Sequence, residues 1–276
     1  MIQVTQLSHN GVRTFNEDAV LVNEESMLFG VFDGASSLNS YLTTDGKTGG
    51  YVASNIAKTV FNNSTEDLKT TSIAANSAIE QAQIDGQIDI ANNVNRFATT
   101  AAVARLLDNR GELLQVADSV AVVIYKNGHT EVPLGYHDQD IEIMRKWRQL
   151  ADQGMSDIHN VVADDVISLR ESANITYGVL NGDERAENFI GSTAISLANV
   201  ATILLLTDGM YIPKADPDAP EDWNAYARLY QTGGLEEIYD MVRVKELTDP
   251  GLDKYPRYKL HDDASGVAID FICGSK

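Results

Sequence analysis

Acidic residues occur at five separate places where an apolar run of the sequence meets a tight turn. Burying a carboxylate at the end of a hydrophobic strand costs free energy unless the charge gains a partner, and a neighbouring glycine lets the backbone approach closely. Mg²⁺ and Mn²⁺ prefer oxygen ligands, and several acids can share two such ions. The pattern therefore predicts a metal-dependent hydrolase. The five places are Glu17-Asp18 in GVRTFNEDA, Asp33-Gly34 in LFGVFDG, Asp118 in LLQVADS, Asp208-Gly209 in ILLLTDG and Asp262-Asp263 in HDDASGVAIDF.

Each place, taken alone, has a simpler explanation. Asp-Gly is a common turn dipeptide, and an isolated acidic pair such as Glu17-Asp18 is typical of a solvated loop. The repeated placement of the acids after apolar strands favours metal ligands over turn residues. For Asp118 both interpretations, metal ligand and turn residue, stay open. Gly46-Lys47-Thr48 is not a phosphate-binding loop, because Tyr41 occupies the position where that motif needs its first glycine.

Composition limits the class of protein. The chain has 276 residues, 43% of them hydrophobic, and a net charge of -19. We expect one soluble, cytoplasmic domain over residues 1–276, because no apolar stretch is long enough to cross a bilayer and no signal-type segment opens the sequence. The negative charge disfavours nucleic acid and anionic membranes as partners. The single cysteine, Cys273, allows no internal disulfide.

The elements that must position the acids are mostly strands joined by short turns. Apolar runs and alternation predict strands over residues 2–7, 19–23, 27–32, 99–107, 113–117, 120–125, 176–180, 193–197, 202–207 and 266–273. Helical spacing predicts helices over 48–61, 68–90, 223–230 and 235–247, and a helical excursion over 138–172. Asn127-Gly128 is a hairpin signal. This order favours antiparallel sheets covered by helices.

Taken together, GVRTFNEDA, LFGVFDGA, VADS, LLLTDG and DDAS resemble, in order and rough spacing, the signature segments of the PP2C-type (PPM) metal-dependent protein phosphatases. The resemblance spans nearly the whole chain and is to divergent, bacterial-like members. It implies an α+β fold, a four-layer αββα sandwich of two antiparallel sheets flanked by helices. It also implies a centre of two Mn²⁺ or Mg²⁺ ions at one edge of the sandwich.

The resemblance assigns ligands to the first of these ions. Asp33 matches the carboxylate that bridges both ions, and Gly34 matches the residue that offers its backbone carbonyl to one of them. Asp208 and Asp262 match the two aspartates that complete one ion's shell.

The remaining matched positions are implied to serve the second ion, a third ion and the phosphate. Glu17 and Asp18 correspond to the family's acidic pair on the other side of the centre. Asp118 matches the aspartate that, with the equivalent of Asp208, holds a weaker third ion in many bacterial members. Arg13 occupies the place of the phosphate-binding arginine, whose planar fork suits bidentate contact with a phosphoryl group.

The sequence also departs from the family pattern. Ala35-Ser36-Ser37 follows Asp-Gly where eukaryotic-type members often have a histidine acid, so a metal-bound water or His9 would protonate the leaving group, or none is needed. Ala117 stands where glycine usually precedes Asp-Ser. Asp263 replaces a common asparagine, which leaves either Asp262 or Asp263 as the ligand; we favour Asp262, because Ser265 then falls at the family's hydroxyl position.

The resemblance implies a phosphoserine/phosphothreonine protein phosphatase that acts as a monomer and attacks the monoester with a metal-activated water. Its substrate would be a phosphorylated protein. The atypical 138–172 segment falls at the family's flap, which influences substrate choice. Two other functions stay open, a catalytically silent regulatory module and a phosphatase of small metabolites.

Overall fold

The computed structural model describes residues 1–35, 38 and 41–272. Ser36, Ser37 and Cys273, on which sequence expectations depend, lie outside this part of the chain. The strands are β1 (Ile2–His9), β2 (Ala19–Asn23), β3 (Leu28–Phe32), β4 (Gly34–Ala35), β5 (Ala98–Thr99), β6 (Ala101–Leu107), β7 (Arg110–Val116), β8 (Val120–Tyr125), β9 (Thr130–Glu131), β10 (Gly191–Ser196), β11 (Val200–Leu206) and β12 (Ala264–Phe271). The α-helices are α1 (Gly49–Asn63), α2 (Leu68–Asp85), α3 (Ile141–Asp152), α4 (Ile158–Glu171) and α5 (Trp223–Leu247).

The strands form two five-stranded sheets with the orders β1-β12-β11-β8-β9 and β10-β7-β6-β3-β2, and β4 pairs with β5. All of these pairs are antiparallel. The hairpin predicted at Asn127-Gly128 is confirmed, because it joins β8 to β9.

The two sheets stack face to face, and strand alternation determines what each side chain contacts. On β11, Ile203 and Leu205 lie in the core between the sheets, whereas Leu204 and Leu206 face α5. On β3, Phe29 and Val31 point into the same inter-sheet core. Its neighbours Leu28 and Phe32 pack with α1 and α2 on the outer face. The layers are therefore helix, sheet, sheet, helix, as predicted.

Side-chain caps explain where the helices start. The hydroxyl of Thr48 accepts a hydrogen bond from the amide of Tyr51, and the carboxylate of Asp67 accepts one from Thr70 at 2.9 Å. Helix α5 contains non-helical residues at Gly233 and Gly234, which explains why the sequence predicted two helices there.

Two predicted elements differ from the structure. Residues 176–180 were predicted as a strand, but within the described chain they make isolated bridges, one of which joins Thr99 to Leu180. The cause is a tight turn, in which Asn174 adopts a φ of 59° and its side chain accepts the amide hydrogen of Val179. Helix α2 ends at Asp85 instead of residue 90.

The flap-like segment contains α3 and α4, as predicted, and has a small core of its own. Trp147 is 1% exposed, packs with Ile158 and Val162, and donates its indole hydrogen to the carbonyl of Leu252 at 2.9 Å. The flap is thereby fixed against the loop that leads into β12. Among the described residues, no helix combines the length and apolar character that crossing a bilayer requires.

Candidate metal centre

Asp33 and Gly34 lie where β3 leaves its sheet. The carbonyl of Asp33 accepts hydrogen bonds from the Thr100 amide at 2.9 Å and the Thr99 hydroxyl at 2.8 Å. A Cβ atom on Gly34 would lie 2.4 Å from the carbonyl oxygen of Gly50, so a residue with a side chain would force the backbones apart. Burial raises the pKa of Asp33 well above its ordinary value, and the charges of Asp18, Asp262 and Asp118 add to the shift.

Asp18 comes directly before β2 and is 7% exposed. Its Oδ2 accepts a hydrogen bond from the Thr207 hydroxyl at 2.9 Å, while its buried Oδ1 has no hydrogen-bond partner among the described residues. Burial raises the pKa of Asp18 to about 8, with further contributions from Asp208 and Asp262. A buried carboxylate oxygen without a donor is expensive, and a bound cation would remove that cost.

Asp208 follows β11 and Thr207, at the start of a single 3₁₀ turn, Asp208–Met210. Gly209 has no room for a side chain, since its Cβ would lie 1.8 Å from the carbonyl oxygen of Asp263. Burial raises the pKa of Asp208 well above its ordinary value, and Asp33 and Asp262 raise it further. The ends of β11 and β3 thus place their aspartates within electrostatic reach of each other.

Asp262 and Asp263 have different environments. Asp263 is 5% exposed, and each of its oxygens accepts a backbone amide hydrogen at 2.7 Å, Oδ1 from Gly11 and Oδ2 from Glu17. The side chain of Asp262 is 34% exposed and raises the pKa of Asp18, Asp33 and Asp208. This geometry favours Asp262 as the candidate ligand, and it makes Asp263 a clamp on the segment that carries Glu17.

Asp118 lies between β7 and β8 and faces the flap. Its Oδ2 accepts a hydrogen bond from Gln139 at 2.8 Å, and its Oδ1 is buried with no partner among the described residues. Burial raises the pKa of Asp118 to about 7, Asp140 adds to the shift and Arg170 opposes it. Ala117 has a φ of 61°, a left-handed conformation that explains the family's preference for glycine at this position.

Glu17 and Arg13 form a second corner of the site. The Glu17 side chain is 2% exposed and its Oε1 lies 2.9 Å from Nη1 of Arg13. The same oxygen accepts a hydrogen bond from the Thr48 hydroxyl. Arg13 is 34% exposed, so part of its guanidinium still faces solvent.

Sequence reasoning missed two site residues, Thr207 and Lys259, and the clamping role of a third, Asp263. Thr207 donates to Asp18, Asp263 holds two backbone amides, and Lys259 places its ammonium 2.6 Å from Oδ1 of Asp262. The threonine precedes Asp208 in LLLTDG and the lysine precedes Asp262 by three residues, but neither spacing by itself specifies a contact. His9, a suggested proton donor, stacks on Tyr239 with ring centroids 4.4 Å apart.

The residues fit a hard divalent cation in their chemistry. The donors are all oxygen, Asp18 and Asp118 have orphaned buried oxygens, and burial, with a smaller contribution from repulsion by neighbouring carboxylates, raises the pKa values of the aspartates. Among the described residues, however, no group of three or more His, Cys, Asp or Glu side chains forms a ready-made metal site. The candidate ligands are neighbours that would still have to draw together around an ion.

A cavity of about 180 Å³ opens beside Asp208 and Asp262. Its wall includes Tyr136 and Tyr258, which lie next to the flap, and Lys259.

The fold is an αββα sandwich with a carboxylate cluster at the strand ends. Sequence comparison identifies the family to which the chain belongs. The model of the protein phosphatase 2C family matches residues 5–238. The chain belongs to this family. No curated protein matches the sequence significantly.

Solved structures of bacterial phosphatases share the fold. The chain is 21% identical to the serine/threonine phosphatase PstP/Ppp of Mycobacterium tuberculosis, with a TM-score of 0.58 and 98% of each chain covered. It is 18% identical to the serine/threonine phosphatase Stp1 of Staphylococcus aureus, with a TM-score of 0.60 over 99% of this chain and 96% of that one. A PstP catalytic domain in complex with two manganese ions is 20% identical, with a TM-score of 0.54 over 98% and 97%. At identities this low, the likeness establishes the fold.

Proposed function

We propose that the protein is a metal-dependent phosphoserine/phosphothreonine protein phosphatase. The observation that carries the proposal is the meeting of Asp18, Asp33, Asp208 and Asp262. They come from four separate places in the sequence, and the charge of Asp262 adds to the larger effect of burial in raising the pKa of Asp18, Asp33 and Asp208. Family membership supports the reaction class. The named activities of PstP and Stp1 support serine/threonine specificity.

Two Mn²⁺ or Mg²⁺ ions, when bound, would supply hydroxide near neutral pH and neutralise the phosphoryl charge. Asp33, the Gly34 carbonyl, Asp208 and Asp262 would hold one ion, and Asp33 with Asp18 would hold the other. Asp118, with Asp208, would hold a third.

The protein's own groups would orient the ligands and the substrate. Thr207 fixes one oxygen of Asp18 and leaves the other available. Glu17 holds Arg13 through Nη1, and the other donors of the guanidinium can then contact a phosphoryl group. With the bound ions supplying the water-derived nucleophile, the new phosphorus–oxygen bond would form as the ester bond breaks, and the alcohol would leave with that electron pair and take up a proton from solvent. No covalent phosphoenzyme is required.

We expect the substrate to be a phosphorylated protein and the enzyme to act as a monomer in the cytoplasm. The net charge of -19 disfavours nucleic acid and anionic membranes as partners.

The decisive experiment measures hydrolysis of p-nitrophenyl phosphate, a phosphothreonine peptide and a set of sugar phosphates with Mn²⁺, with and without chelator. Asp33→Asn should reduce turnover at least about a hundredfold without unfolding the protein, because it removes the bridging charge. Asp165→Asn is the matched control, since Asp165 pairs with Lys146 on the flap surface. Turnover retained in Asp33→Asn would contradict the assignment of Asp33 as a metal ligand. A preference for sugar phosphates would favour a metabolite phosphatase.

A catalytically silent regulatory module is the second candidate. It is favoured by the engagement of Asp262 with Lys259 and by the lack of a ready-made metal site in the described chain. Calorimetric titration with Mn²⁺ separates the two candidates, because a silent module should bind weakly or at a single site.

A further inference from the structure

Lys259 is a cation that belongs to the carboxylate cluster itself. Its Nζ lies 2.6 Å from Oδ1 of Asp262, and its side chain is 26% exposed. It also lines the cavity beside Asp208 and Asp262. A lysine in this position contacts a candidate metal ligand directly.

The backbone next to Lys259 is fixed by the flap. The hydroxyl of Tyr258 donates to Asp140 at 3.0 Å, and the carbonyl of Tyr258 lies 2.8 Å from Nε2 of His159. The ring of Tyr258 also packs edge-on against Trp147, with centroids 6.2 Å apart. These contacts fix the start of the lysine side chain, so its reach toward Asp262 is a feature of the folded loop.

The charge of Lys259 acts on more than its nearest partner. It lowers the pKa of Asp33 and Asp208, against the larger opposing effect of burial on both groups. Burial alone would lower the pKa of Lys259, but the charge and hydrogen bond of Asp262 and the charges of Asp33 and Asp208 together outweigh burial and raise the pKa above its ordinary value. Lys259 therefore carries its positive charge throughout the neutral range.

We propose that Lys259 is a built-in counter-ion of the metal centre, which competes with a divalent cation for Asp262 and so weakens metal binding. This inference rests on the proposed metal centre, and it identifies a residue that sets the affinity of that centre for divalent cations. A fixed positive charge repels an incoming divalent ion, and an oxygen held by an ammonium is less available to that ion. Turnover would then follow the free Mn²⁺ concentration over a range that Lys259 sets.

Calorimetric titration of Mn²⁺ into the chelator-treated protein tests the inference without measuring catalysis. Lys259→Met keeps much of the aliphatic stem and removes the charge, so Mn²⁺ should bind about tenfold more tightly than to the wild-type protein. Lys259→Arg keeps the charge and should bind Mn²⁺ as the wild type does. Lys146→Met is the matched control, because Lys146 forms an ion pair of the same 2.6 Å length with Asp165 on the flap.

The outcomes separate the two proposals. Equal or weaker Mn²⁺ binding by Lys259→Met overturns the inference and leaves the phosphatase proposal intact. Tighter binding by both Lys259 variants also overturns it, because the effect would then come from side-chain shape and not from charge. Absence of Mn²⁺ binding in every protein, with circular dichroism showing folded chains, overturns the metal centre and the inference together.

Discussion

Two corners of the site each contain an ion pair between a basic residue and an acidic residue, but the two pairs lie in different surroundings. At one corner Arg13 pairs with Glu17, four residues later, and at the other Lys259 pairs with Asp262, three residues later. The cations are similarly exposed, at 34% and 26% of the side chain. The acids differ, since the Glu17 side chain is 2% exposed and that of Asp262 is 34% exposed.

Burial of the acid decides what each ion pair does. Removing the partner of a buried carboxylate leaves an uncompensated charge in a medium of low polarity, whereas water can solvate an exposed one. Arg13 therefore stabilises the fold around Glu17, in addition to the phosphate contact proposed for it. We therefore expect Lys259 to add little stability and to act mainly on the electrostatics of the candidate ligands.

The largest expected effect concerns the carboxylates between the corners. In the folded, metal-free protein the pKa of Asp18 is raised from its ordinary value of 3.8 to about 8, and that of Asp118 to about 7, chiefly by burial. The folded state then holds protons that the unfolded state has released, so stability should fall as the pH rises between about 4 and 8.

Urea unfolding in chelator, at pH values across that window, measures this dependence. Adding Mn²⁺ should flatten it, because bound cations keep the carboxylates ionised in the folded state. Stability that rises with pH in chelator would mean that the acids are already compensated by the protein.

The next largest effect is the difference in stability and Mn²⁺ binding between variants of the adjacent residues Asp262 and Asp263. Asp263→Ala should cost about 3 kcal/mol of unfolding free energy, because the amides of Gly11 and Glu17 lose their acceptor. Asp262→Ala should cost less than about 1 kcal/mol and weaken Mn²⁺ binding. Urea unfolding and calorimetric titration of both variants check the assignment, and the reverse pattern would make Asp263 the ligand.

The smallest expected effect is the difference in unfolding free energy lost when Arg13 or Lys259 is replaced. Arg13→Met should cost about 2 kcal/mol of stability, since Glu17 is buried, and Lys259→Met should cost less than about 1 kcal/mol, since Asp262 meets water. Arg13→Lys is the control and should recover part of the loss. Equal costs for the two methionine variants would show that burial of the acid does not distinguish the corners.

The family resemblance implied the four layers, and the sequence predicted most of their strands and helices because strand alternation and helical spacing are local properties. The runs that became β3 and β11 alternate between two cores, and Thr48 and Asp67 mark helix starts. The predicted strand at 176–180 was wrong because the turn at Asn174 depends on a side-chain hydrogen bond that no period reveals.

The sequence by itself determined which carboxylates come at strand ends, since apolar runs that stop at Asp33, Asp208 and Asp118 are visible without a structure. Only the tertiary structure decided the division of roles between Asp262 and Asp263 and the contact of Lys259. These depend on backbone amides and an ammonium that folding brings from distant segments or around an irregular loop. Hydrophobic periodicity records what is buried, but it does not record which polar atoms meet there.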